Sequence, residues 1–348
     1  MSERSLVTLE DVAQAAGVSP ATVSRVLNNT AAVRADMRER VLAAATSLAY
    51  TPNSHAQALA RATSQVVGVI CHDIGDPYFA GIIRGVMRMA SEHDLHVTLG
   101  STFGDQEREI AYVGMMRGQR ARAILLIGSG FEDAAWQEAM GRELDRYVAT
   151  GGRVTAVSRH RGLHVDAVLP QNRTGAAELA RAMVELGHRE FAVLSGPATL
   201  TTAADRLAGF RDGLARAGIE LRPDQVVEGA FNRDGGYAAA TELIRRGLRA
   251  TCLFAATDLM AVGVLAALRN HGLSVPDDVS LTGFDDIPLV QDLTPPLTTV
   301  ALPLEEVGRR AMAMALRRGT TTRNRVERVQ GRVVLRASTA PPPPSGRP

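Results

Sequence analysis

From Gln65 to Thr282 one constraint governs the chain: short apolar runs alternate with longer amphipathic stretches. The runs at Val66–Cys71, His96–Leu99, Ala123–Ile127, Val154–Val157 and Asp166–Leu169 are too short for stable helices and read as strands, with helices between them. The alternation then restarts. Helices are placed at Gly175–Leu186, Arg206–Ala217, Asp234–Arg246 and Leu259–His271, and strands at Phe191–Leu194, Gln225–Val227, Cys252–Phe254 and Val279–Thr282. Strands separated by helices in this way form parallel sheets, and two successive systems suggest two α/β lobes. Ligands of such sheets sit beyond the carboxyl ends of the strands, so the cleft between the lobes is the expected site.

The first 50 residues follow different rules. Thr8 and Asp11 form a capping box for a first helix ending at Ala16, and Gly17 supplies its left-handed stop. Ser19 caps a second helix with Pro20 at its first position, where the missing N–H costs nothing. Val23, Val26 and Leu27 give that helix an apolar stripe, leaving Ala21, Thr22, Ser24, Arg25 and Asn28 on its other face. A third helix at about Ala35–Ala49 presents Met37, Val41, Ala44 and Leu48 to the first two. This is the punctuation of a helix-turn-helix, and by spacing alone equally that of an ordinary capped helical hairpin. Hydroxyls and amides suit phosphate oxygens, and an arginine fork matches the O6/N7 edge of guanine. Residues Asn53–Arg61 form a marginal helix, too short to persist alone.

Composition narrows the classes. At 348 residues and 45% hydrophobic content the chain can bury a large core in two or three folding units. No apolar run approaches a membrane span and the N-terminus lacks a secretory signal, which reads as cytoplasmic. Net charge is only +2, so DNA affinity must come from a local patch rather than from a general polycation. The first 61 residues carry six arginines against five acids, so one headpiece alone should bind weakly. Cys71 and Cys252 lie in apolar runs without metal-ligand spacing, and no P-loop, G-x-S-x-G elbow or metal cluster is present. The expectation is therefore no enzyme, no catalytic residue, no metal and no cofactor. The tail from residue 339 to 348, TAPPPPSGRP, has no apolar periodicity; it can form an extended polyproline ligand, but the expectation is a disordered end.

Residues Val7–Ala60 resemble the headpiece of the lactose/galactose repressor (LacI/GalR) family. The resemblance rests on A-G-V-S-x-x-T-V-S-R-V-L-N at Ala16–Asn28, R-E-R-V at Arg38–Val41 and Y-x-P-N at Tyr50–Asn53, and it continues into an effector domain. It implies an all-α helix-turn-helix headpiece (1–52), a hinge helix and linker (53–64), and an α/β two-lobed, periplasmic-binding-protein-like effector domain (65–338). The first lobe is taken as about 65–170 plus 302–325, and the second as 171–301 plus 326–338. The resemblance further implies that the helix from Pro20 enters a major groove. Arg25 is the leading base contact; Pro20 and Ala21, in positions that vary with operator preference, offer only apolar contact. Thr8, Leu9, Thr22, Ser24, Asn28, Tyr50 and Asn53 are implied to set register on phosphates. Leu59 is implied to wedge into a minor groove at the centre of a pseudo-palindrome, with Ala56 and Ala60 letting two hinge helices approach.

In the effector domain the resemblance implies that Arg206 and Asp285 grip the ligand, that Phe231 stacks on it, and that Thr257 and Asp258 close the second lobe's side. First-lobe candidates are His72, Asp73, Tyr78, Phe79 and Arg159. The implied partners are operator DNA, a second copy of the chain in a homodimer, and a small-molecule effector. A sugar leads, with a nucleoside or purine corepressor as the alternative, and no membrane is involved.

Overall fold

The computed structural model describes residues 7–28, 32–51, 64–317 and 324–342. It separates after Gln65 into two compact units.

Among the described residues the first unit has three helices: α1 (Leu9–Ala16), α2 (Pro20–Asn28) and α3 (Ala35–Ser47). The capping box at α1 is formed in both directions. The Thr8 hydroxyl accepts from the Asp11 amide at 3.3 Å, and the Asp11 carboxylate accepts from the Thr8 amide at 2.8 Å. These bonds hold the Asp11 carboxyl below its ordinary value. Gly17 ends α1 at φ +65°, and the Ser19 hydroxyl accepts from the Thr22 amide at 3.3 Å to start α2. Val12, Ala13, Ala16, Val23, Val26, Val41 and Ala44 make the core, with Leu9, Leu48 and Tyr50 packed at its margin. The proposed hinge residues, Asn53, Ala56 and Leu59 among them, lie outside the described residues.

The second unit holds both lobes. The first lobe is a six-stranded sheet of β1 (Val66–Cys71), β2 (His96–Ser101), β3 (Ala123–Ile127), β4 (Arg153–Val157), β5 (Asp166–Pro170) and β11 (Val326–Val329). Its order is β11-β5-β4-β3-β1-β2 and every pairing is parallel. Helices α4 (Pro77–Glu92), α5 (Gln106–Gly118), α6 (Ala134–Ala149) and α11 (Leu304–Leu316) belong to this lobe. The second lobe is a parallel sheet ordered β7-β6-β8-β9, from β6 (Phe191–Ser195), β7 (Val226–Glu228), β8 (Cys252–Ala255) and β9 (Ser280–Thr282). Its helices are α7 (Asn172–Glu185), α8 (Thr201–Ala215), α9 (Arg233–Arg245) and α10 (Asp258–Asn270). An antiparallel pair, β10 (Thr299–Ala301) with β12 (Arg332–Val334), lies on the crossings between the lobes.

Two boundaries differ from those expected. Val326–Val329 belongs to the first lobe: it pairs with Ala167–Pro170, and the Asp166 carboxylate accepts from the Arg325 amide at 2.8 Å. The chain therefore crosses after this strand, which the sequence hides because a single edge strand carries no lobe label. The tail is also ordered beyond Ser338. The Ala340 amide donates to the Ser280 hydroxyl at 3.1 Å, and the buried His188 ring donates from Nε2 to the Ala340 carbonyl at 2.9 Å. Its backbone is thus paired despite its composition, and only 343–348 fall outside the described residues. Cys71 and Cys252 are buried free thiols, and burial pushes Cys71 up to about 11. Among the described residues no helix is long and apolar enough to cross a membrane.

The first lobe depends on a backbone-to-backbone contact between α4 and α11. A Cβ added to Gly85 would lie 1.9 Å from the Glu305 carbonyl oxygen, and one added to Gly308 would lie 1.9 Å from that of Ile82. Glycine costs roughly 1 kcal/mol of helix propensity against alanine, while forcing a methyl into a filled site costs about 1–3 kcal/mol. Backbone oxygens cannot rotate away, so the clash should win. Gly85→Ala is predicted to lower stability by about 2 kcal/mol, seen as a reduced urea midpoint; an unchanged or raised midpoint would refute the close contact.

Candidate ligand cleft and nucleic-acid interface

The carboxyl ends of the strands converge on one cavity of about 450 Å³. The loops after β1, β2 and β3 supply its first-lobe wall, and those after β6, β7, β8 and β9 supply its second-lobe wall. Of the residues singled out in the sequence, His72, Asp73, Tyr78, Phe79, Arg206, Phe231, Thr257 and Asp285 line it.

Arg206 is the centre of the second-lobe wall. It sits in the second turn of α8, which begins at Thr201, five residues before the expected start. It is 1% exposed, yet its guanidinium is thoroughly paired. Nη2 donates to Asp285 Oδ1 at 2.6 Å, Nη1 to Asp285 Oδ2 at 3.2 Å and to the Ala256 carbonyl at 2.7 Å, and Nε to Asn172 Oδ1 at 3.0 Å. The Phe284 ring lies 4.0 Å beneath it. Asp285 is 2% exposed and holds φ +117°, a conformation sparsely populated by side-chain-bearing residues. Burial raises its carboxyl above the ordinary value, and the bidentate contact with Arg206 opposes that rise. The pair is neutral as a unit, and the carboxylate retains lone pairs for a ligand.

Phe231 lies flat against the backbone after β6: a Cβ on Gly196 would be 1.9 Å from its ring. Thr257 caps α10, its hydroxyl accepting from the Met260 amide at 3.1 Å. Across the cleft, Tyr78 and Phe79 start α4, with rings packed edge-to-face at 5.1 Å. Both are buried in the first-lobe core. Burial raises the Tyr78 hydroxyl further above its ordinary value. Asp73 turns one oxygen to the Gly75 amide at 2.8 Å. His72 stacks near Phe131 at 5.5 Å, and its Nε2 is buried without a partner.

Two candidates do not reach the cavity. Arg159 pairs instead with Asp205 of α8 at 2.6 Å, tying the lobes together beside the cleft. Asp258 is fully buried behind the wall, accepting from the Ile287 amide at 2.9 Å and from the Thr299 hydroxyl at 2.6 Å. It braces the loop that carries Asp285, and the helix cap is Thr257 instead. Sequence reading also missed residues that do line the cavity: Asp76, Phe103, Phe131 and Asn232. Asp76 was legible as the cap before Pro77: it accepts from the Tyr78 amide at 2.9 Å, and burial raises its carboxyl to about 6. Asn232, accepting from the Gly235 amide at 2.7 Å, carried the same signal. Nothing in the sequence distinguished Phe103 or Phe131 from core aromatics. Among the described residues no cluster of His, Cys, Asp and Glu could hold a metal ion.

In the helical unit, Pro20, Ala21 and Arg25 are exposed on α2, while Thr22 and Ser24 are half-buried. The Thr8 hydroxyl is engaged with Asp11 and Tyr50 packs on the core, so both have structural work as well as any contact with phosphate.

Known proteins share this arrangement. Residues 8–53 match the family described as bacterial regulatory proteins, lacI family, and residues 180–339 match a periplasmic binding protein-like domain. The chain is 33% identical over 311 residues to the HTH-type transcriptional regulator GalS of Salmonella typhimurium, covering 89% of each protein. It is 33% identical to the HTH-type transcriptional repressor PurR of Erwinia tasmaniensis, over 93% of this chain and 94% of that one. The crystal structure of the Lac repressor dimer bound to operator and the anti-inducer ONPF superposes with a TM-score of 0.82 at 26% identity, over 97% of this chain and all of that one.

Two predictions follow from the cleft. Asp285→Ala leaves a buried guanidinium without its counter-charge and should cost about 3–5 kcal/mol, whereas Arg206→Met with Asp285→Leu removes both charges and should cost less; denaturant unfolding decides, and the reverse ranking would refute the pairing. Burial lowers both His72 and His160 to about 4, so each ring is neutral in the fold and protonates near 6.5 when unfolded. Their stabilising effect is complete above pH 6.5 and is lost as pH falls toward 4, on the order of 3 kcal/mol for each ring. His160→Gln should flatten the decline in melting temperature across that window; an unaltered slope would sink this account.

Proposed function

Because the chain belongs to the LacI family of helix-turn-helix transcriptional regulators, we propose that it is a homodimeric repressor that leaves a pseudo-palindromic operator when a neutral sugar fills its cleft. The observation that carries the effector class is the bidentate Arg206–Asp285 pair. A charge-balanced pair with spare acceptor capacity suits a polyol, whose hydroxyls both donate and accept, better than an anion or a cation. Asn232, Asp76 and the unpartnered His72 Nε2 add polar groups around the same cavity.

The alternative is a purine or nucleoside corepressor, favoured by the Phe231 ring in the cavity wall. Tyr78 and Phe79 weaken it: both line the cavity, but each is only 9% exposed, with its ring packed into the core and against the other.

A sugar bridging Arg206 on one lobe and Asp76 or His72 on the other favours a particular lobe arrangement, and its differential affinity for that arrangement is all it can transmit. The second copy docks on the open edge of the first-lobe sheet. There β2 has no second strand neighbour among the described residues, and Ile74, Met87 and Leu99 are exposed. Two copies then place two α2 helices on two half-sites, compensating for the nearly balanced charge of each headpiece. Operator DNA weakens effector binding by the factor with which effector weakens operator binding.

Mobility shift on the cognate operator tests this reading. Saturating sugar should release the operator; tighter binding would make the ligand a corepressor, and no change would refute effector control. Arg25→Ala should reduce specific affinity about 10- to 100-fold, the range of a bidentate guanine contact, with little change on unrelated DNA; equal losses on both would reduce Arg25 to a phosphate contact.

A further inference from the structure

Phe103 is the feature of the cavity that the floor chemistry does not use. It is 69% exposed, the most exposed large apolar side chain among the described residues, and it lines the same cavity as the buried Arg206–Asp285 pair. Its backbone sits at φ +54°, an uncommon conformation for a bulky residue. The surrounding loop is pinned in place. The Phe103 amide donates to the His72 carbonyl at 2.6 Å, the Thr102 amide to the Cys71 carbonyl at 2.9 Å, and the Gly104 amide to the Thr102 hydroxyl at 3.3 Å. Asp105 caps α5 immediately after, accepting from the Arg108 amide at 2.9 Å, and the Arg108 guanidinium stands 5.9 Å from the Phe103 ring. An apolar ring held at a cavity mouth by a paired but unfavourable backbone is a preorganised surface awaiting an apolar face.

The cavity joins buried polar groups to this exposed ring. Arg206 and Asp285 are almost without exposure at its floor and Phe103 is open at its rim. Its volume of about 450 Å³ lies within the range of roughly 300–1,000 Å³ that encloses drug-sized ligands, beyond what one pyranose fills. We infer that Phe103 is a specificity-determining platform on which the second ring of a two-ring saccharide stacks while the first ring is held at Arg206 and Asp285. This rests on the sugar reading of the cleft. The C–H face of a pyranose is the apolar surface such a ring accepts, and the stacking contact selects disaccharides over monosaccharides without adding a charge.

Calorimetric titration of the full-length chain with glucose and with its α- and β-linked disaccharides, beside hypoxanthine and guanosine, tests the inference. At least one disaccharide should bind at least about fivefold tighter than glucose. Phe103→Asn, which tolerates the left-handed backbone, should weaken that disaccharide about three- to tenfold and leave glucose within twofold. Phe103→Trp, which restores a ring, should keep the disaccharide affinity. Equal affinity for one and two rings, or equal losses for both in Phe103→Asn, overturns the platform and leaves the sugar reading standing. Binding of a purine with no saccharide bound overturns both.

Discussion

A guanidinium cannot be taken out of water unless its N–H groups are met, and the effector unit is arranged around meeting those of Arg206. Its partners come from the start of α7, the end of β8 and the loop after β9, so three separate carboxyl-end segments must arrive together for one side chain to be satisfied. Satisfying the guanidinium thereby builds the binding surface. Asp285 is fixed in a rare backbone conformation with a lone-pair-bearing carboxylate turned to the cavity, and that conformation is held from behind by Asp258 through Ile287 and Thr299.

The first lobe is packed around an equally unforgiving contact. Helix α4 meets α11 at glycines so closely that main-chain atoms are in contact, and such interfaces do not deform gradually. Any response to a ligand is then carried by the crossings between lobes and by contacts across the cleft, such as Arg159 to Asp205. The helical unit is built differently. Its core is seven small or branched apolar residues held by caps, leaving the face of α2 with Pro20, Ala21 and Arg25 free of packing duties.

How legible each part was tracks the range of the forces behind it. The capping box at Thr8, the stop at Gly17 and the cap at Ser19 are local, spanning three or four residues, and they were read correctly. The first five strands of the first lobe were likewise legible within a residue or two, because apolar runs leave little choice, whereas β11 was not. The Arg206–Asp285 candidates came from resemblance, and the geometry brings them together. Arg159 and Asp258 were misplaced because a charged residue at a strand end looks the same from sequence whether it faces the cavity, pairs across a cleft or braces a loop. The start of α8 slipped by five residues because Leu200, at its cap position, has no side-chain oxygen to accept a bond from the first turn's amides.

The sequence by itself determined the two kinds of unit, the order of strands and helices from Gln65 to Thr282, and the face α2 offers, since each depends on periodicity and capping within a few residues. The tertiary structure alone decided which carboxylate faces the cavity, which strand completes the first-lobe sheet, and that Phe103 stands at the rim. Those outcomes depend on pairing between residues far apart in the chain: Arg206 and Asp285 are 79 positions apart, and Arg325 and Asp166 are 159 apart. No local pattern encodes such a distance, because loop closure must be paid before the contact that rewards it exists.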